Sequence, residues 1–145
     1  MGVLNVQRCK LQLSDLENLG EVGYVKGISN IIVKNLNALD ITQRPVHCAD
    51  KKREIIYVKD DNKWEKENED NEKIRRMVKR VAIKNYKQIH KYKEKYPDCN
   101  KSDSVYSDKY NMIIIESMGG SGDRERENED KIIRNISKEV VIAKE

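Results

Sequence analysis

Phenylalanine is absent from this 145-residue chain, proline occurs twice, and the large rings are seven tyrosines and Trp64. A core built without Phe must take its volume from Ile, Val and Leu, and any buried tyrosine must find a partner for its hydroxyl. Cysteine is scarce as well. Cys9, Cys48 and Cys99 are odd in number, far apart and contain no C-x-x-C pair. That excludes a disulfide scaffold and fits a reducing, cytosolic-type compartment. Long apolar runs are missing: Met112–Ile115 and Val140–Ala143 are the longest, where a membrane-crossing helix needs about 20 residues. The first residues lack the charged-then-apolar pattern of a secretory signal. The pattern predicts neither export by that route nor insertion in a membrane.

What remains is highly charged, with a net charge of only +4. The distribution says more than the total. Acids outnumber bases from Lys59 to Asp70 and again from Asp123 to Asp130, whereas Lys73–Lys95 holds ten Lys/Arg against the single acid Glu94. Signed patches of this kind steer association. The length suits one domain that buries about two-thirds of its unfolded surface, which leaves room for a partner or a second copy to add stability.

Periodicity predicts an α+β fold, predominantly helical, with four or five helices packed around one two-stranded β-ribbon. Residues 1–20 read as an N-terminal stub or the end of a linker, with Ser14 and Glu17 able to box a short helix; residues 21–145 read as a single interaction domain. Val22, Val25, Ile28, Ile31, Ile32, Leu36 and Leu39 give the apolar face of a helix over 21–39. Gly23 and Gly27 weaken that helix or admit a close backbone. Residues 53–59, β-branched and aromatic, lead through Asp60-Asp61-Asn62 to a return strand at 63–66, whose Trp64 is expected to dock against Val81 and Tyr86. A long helix over 71–96 starts at a cap on Asp70 or Asn71 and stops at Pro97. A helix over 104–118, ended by Gly119-Gly120, and a last helix opened by residues 121–126 complete the chain, the last with Ile132, Ile133, Ile136, Val140 and Val141 inward.

No motif for nucleotide binding or nucleophilic catalysis occurs: there is no G-x-G-x-x-G, no G-x-x-x-x-G-K-[ST] and no G-x-S-x-G. Gly119-Gly120-Ser121-Gly122 resembles a phosphate cradle, but Asp123, Glu125 and Glu127 follow it and would repel an anion. His47 and Cys48 are adjacent, so they point to opposite faces of an extended segment, and no four-ligand zinc spacing is present. The polar block Arg44–Arg53 therefore reads as structural, with Arg44 and Asp50 holding the turn. Neither an enzyme nor a metal or cofactor site is expected. Met112, Ile113, Ile114, Ile115 and Met118 form an apolar band too wide for one buried stripe, which predicts an interaction surface and a homodimer. The alternative is nucleic-acid binding by the basic helix through Arg75, Arg76, Lys79, Arg80, Lys84, Lys87 and Lys91.

The stretch from Leu39 through Arg44-Pro45-Val46-His47-Cys48 to Lys59, ending at Trp64-Glu65-Lys66, resembles the C-terminal domain of uncharacterised proteins from giant DNA viruses of the mimivirus kind. Tyr106-Ser107-Asp108-Lys109-Tyr110 and Gly119-Gly120-Ser121 extend the resemblance, which covers residues 20–141. In those proteins the domain often follows a C2H2-type zinc-finger region. The resemblance implies a viral protein in the host cytoplasm (the viral factory) or the virion, with other viral proteins as further partners. It implies no activity.

Overall fold

The computed structural model describes residues 10–50, 52–53, 55–60 and 63–140. Six α-helices and one three-stranded antiparallel sheet make up this part of the chain: α1 (Leu13–Val22), α2 (Tyr24–Asn37), β1 (Val46–Asp50), β2 (Ile55–Asp60), β3 (Lys63–Lys66), α3 (Glu72–Tyr86), α4 (Ile89–Lys95), α5 (Val105–Ser117) and α6 (Glu125–Glu139). The fold is α+β and predominantly helical. No helix among the described residues is long and apolar enough to cross a membrane.

Residues 13–20, read above as part of a stub, belong to the core: Leu16 and Leu19 are buried. Gln12 and Asp15, and not Ser14 with Glu17, close the start of α1, the Gln12 N–H donating to the Asp15 carboxylate at 2.8 Å. The apolar run at 21–39 belongs to two helices. Gly23 turns between them at φ 96°, a conformation that glycine adopts without steric cost. Its N–H closes α1 on the Leu19 carbonyl, and its own carbonyl opens α2 by accepting from the Gly27 N–H. The sharp turn lays α1 back on α2 so tightly that a Cβ at Gly27 would stand 2.8 Å from the Leu19 Cα.

The sheet order is β1-β2-β3, with Val46 opposite Val58, Cys48 opposite Ile56, Tyr57 opposite Lys66 and Lys59 opposite Trp64. The ribbon thus has a third strand inside the Arg44–Arg53 block. Its alternation is short and is broken by an irregularity between Cys48 and Asp50, which conceals it in the sequence. Val46, Cys48, Ile56 and Val58 face inward, and they meet α2, α3 and α6 in the main core with Ile28, Ile31, Ile74, Val78, Ile132 and Ile136.

Trp64 does not dock against Val81 and Tyr86. It is 44 % exposed. Side chains alternate across a pleated sheet, and the pairing of Trp64 with Lys59 puts it on the face opposite inward-pointing Val58. Tyr86 is exposed as well.

The predicted 71–96 helix is two helices. At the break Asn85 and Gln88 are both buried, and the Gln88 amide donates to the Asn85 side-chain oxygen at 2.9 Å. Of the two cap candidates, Asn71 and not Asp70 stands at the N-cap of α3, but its side chain accepts no bond there. Glu67, five residues before the helix, accepts from the N–H groups of Lys73 and Ile74 at 3.0 and 3.2 Å, and a carboxylate there also suits the positive end of the helix. The absent phenylalanines are replaced by a second, smaller cluster in which Leu16, Tyr92, Cys99 and Ile113 are buried, flanked by Tyr96 and Tyr110. The Tyr92 hydroxyl donates to the Tyr106 carbonyl at 2.9 Å, and the rings of Tyr96 and Tyr106 stack with centroids 4.3 Å apart.

Candidate functional site

Helix α5 carries the apolar band. Ser104 caps it, accepting the Tyr106 N–H at 3.1 Å. At 100° per residue, four consecutive apolar side chains spread around most of a helix, and the structure divides them. Ile113 is 1 % exposed and packs on α1 at Gly20, where a Cβ would come within 2.8 Å of the Ile113 side chain. As a member of the interaction set it is corrected: it is core. Ile114 is half-buried, whereas Met112, Ile115 and Met118 are 45, 56 and 62 % exposed.

Two shallow hollows adjoin these exposed residues. One, of about 350 Å³, is lined by Glu17, Gly20, Glu21, Tyr96, Asp108 and Met112, among others. The other, of about 400 Å³, lies at the α1–α2 turn, and its walls include Val22, Tyr24, Val25, Lys26, Ile115 and Glu116. Val22, itself exposed, thereby joins the apolar surface. Its place one residue before Gly23 marks it as the end of a helix, the one signal in the sequence that it need not face the core.

The basic helix splits into two rows. Arg75 is buried, its guanidinium bonding to Glu129 at 3.0 Å, to Asp130 at 2.7 Å and to the Asp70 carbonyl at 3.1 Å. Burial alone would lower its pKa, but the bonds to Asp130 and Glu129 outweigh that and hold it above the ordinary arginine value. Lys79 lies 3.4 Å from Glu125 and 3.9 Å from Glu129. Lys73 pairs with Glu65. Arg75 is therefore unavailable to phosphate, and the cationic set is corrected accordingly. Arg76, Arg80 and Lys87 fall within about 60° of one another at 100° per residue, are exposed, and have no ion pair among the described residues; Lys91 continues the row on α4. Lys84 is half-buried beside them. The partner of Arg75 was legible in part. Glu129 sits on the inward stripe of α6 with Ile132, Ile133 and Ile136, a position that requires a carboxylate to be paired.

In the polar block, Arg44 Nε donates to the carbonyls of Leu36 and Leu39 at 3.0 and 3.3 Å, tying the end of α2. Asp50 accepts from the N–H groups of Lys52 and Arg53 at 3.0 and 3.2 Å. Cys48 is buried, and Cys9 and Val141 lie outside the described residues. Among the described residues no group of three His, Cys, Asp or Glu converges as a metal site would require. Against known proteins, no family model, no curated protein and no solved structure matches the chain.

Proposed function

We propose that this domain is a non-catalytic interaction module that pairs with a second copy of itself through the exposed side of α5. The observation that carries this reading is the row Met112, Ile115 and Met118, spaced by three and joined by Val22, with a hollow beside Met112 and another beside Ile115. A two-fold interface is self-complementary, and a row of knobs next to hollows on one surface supplies both halves of such a contact. Contiguous exposed apolar side chains of this kind mark interaction sites. The resemblance to the giant-virus domain would set this pairing in infected-cell cytoplasm or in the virion, among other viral proteins.

Light scattering at two concentrations a hundredfold apart tests the pairing. A dimer is expected, and Ile115→Asp is expected to yield a monomer with an almost unchanged unfolding midpoint, because the residue is more than half exposed. A wild-type monomer at the higher concentration, or a dimer that survives Ile115→Asp, overturns the reading.

A second reading rests on the row of Arg76, Arg80, Lys87 and Lys91, which has no ion pair among the described residues and offers duplex nucleic acid a cationic ridge. Four phosphate contacts correspond to a salt slope of about −3.6. Salt-dependent duplex binding lost on Arg76→Glu with Arg80→Glu is the expected result; duplex binding that is absent or insensitive to these changes ends it.

A further inference from the structure

We propose that the outer face of the sheet is a stacking platform for a single-stranded nucleic acid, on a surface separate from both α5 and α3. Among the described residues, the helices pack on the face of the strands that carries Val46, Cys48, Ile56 and Val58. On the other, the register sets His47, Tyr57 and Lys66 in a row across β1, β2 and β3, with Lys59 and Trp64 forming the next row. Three rings and two lysines thus share one pleated surface.

Several features distinguish this face from an ordinary solvated one. Trp64 is the sole tryptophan of the chain, and it is spent on the surface, 44 % exposed, while the rings buried in the core are Tyr24 and Tyr92. The His47 ring meets its indole edge-on with centroids 4.6 Å apart and planes at 73°. Tyr57 stands on the diagonal from Trp64, where antiparallel geometry separates side chains by about 7–8 Å, enough for one base over each ring. Lys59 and Lys66 have no ion pair among the described residues, while Glu65 is engaged by Lys73 across the other face, Glu67 by the start of α3 and Asp50 by the backbone of its own turn.

Aromatic rings interleaved with lysines are the chemistry that binds unpaired bases and their phosphates, because every base has a π-face while a duplex hides it. Lysine ammonium groups contact the phosphates, and stacking holds the bases. Neither contact requires a 2′-hydroxyl, so the platform takes a single strand of either sugar and disfavours a duplex.

Trp64 reports on its own site. Titration of the intact protein with oligo(dT) and oligo(U) is expected to quench its fluorescence with both, and a matched duplex is expected to bind more weakly. Binding measured by anisotropy of a labelled oligo(dT) should have a salt slope of about −1.4 for two lysines on a single strand. Trp64→Leu is expected to weaken it about 5- to 150-fold, the range for removing one stacked base, while Trp64→Phe retains most of it. Reversal of Lys59 and Lys66 to Glu should abolish it, and reversal of Arg80 and Lys87 to Glu should not. Circular dichroism checks that each variant is folded. No quenching at low salt, equal loss in the leucine and phenylalanine variants, tighter binding to duplex, or sensitivity to Arg80 and Lys87 alone would each overturn the proposal.

Discussion

The guanidinium of Arg75 crosses from α3 to α6 and meets Glu129 with its Nη1 3.0 Å from Oε1, in a place where Glu129 is 2 % exposed. Deleting one member of a buried pair strands the other charge and costs about 3–5 kcal/mol. Arg75→Ala is therefore expected to lower stability by about that amount in urea unfolding. Asp130→Asn, which removes the half-exposed partner of the same guanidinium, should cost less than about 1 kcal/mol.

Trp64→Ala should be mild for stability. A tryptophan buried in a core loses about 3–5 kcal/mol on truncation to alanine, but Trp64 lies on the outer face of β3 with the His47 ring as its recorded aromatic neighbour. A loss of about 2 kcal/mol, below the core value, is expected because little more than half of the side chain is removed from water. A shift in the denaturation midpoint of core size would mean that the outer face is covered.

Gly27→Ala tests the α1–α2 contact. The added methyl group would meet the Leu19 backbone and side chain at 2.8 and 2.9 Å, and backbone cannot move aside as a flexible chain end can. Overpacking of this sort costs about 1–3 kcal/mol, against the gain in helix propensity that alanine brings at an open site. Thermal unfolding should show a net loss.

Two tyrosines should titrate late. Tyr24 is pushed up to about 12, first by burial and then by Glu129 and Glu125. Tyr92 is also pushed up to about 12, by burial first and then by Glu17. Both hold their protons more tightly folded than unfolded, where the value is 10.0. Their contribution to stability is complete below pH 10 and is lost as pH rises toward 12. Ultraviolet titration should show two late-ionising tyrosines, with stability falling across that window, and Tyr92→Phe should remove one late step.

The apolar stripes of α3 and α6 were legible because their spacing repeats over several turns. Pro97 marked the end of the basic segment, and Ser104 marked the start of α5. The position of Trp64 was not legible, since facing direction depends on register and a shift of one residue reverses it. The split at Gly23 was concealed because Val22 and Val25 keep the helical spacing across a turn. Glu67 escaped notice as a cap because it acts from outside the usual positions, over the bend at Asn71. The rows of the basic helix separate only when Glu65, Glu125 and Glu129 arrive from other elements. Charge counts along a chain cannot show which cations are already engaged.

Leu16 and Leu19 stand less than one turn apart on α1, yet Leu16 belongs to the tyrosine cluster and Leu19 to the main core. One short helix is thus a shared wall, and neither compartment can be opened along it without exposing the other. Loss of α1 would remove a side from both at once, so the chain has no reason to melt in two stages. A single heat-absorption peak, with calorimetric and van't Hoff enthalpies equal, is the thermodynamic signature of such a wall.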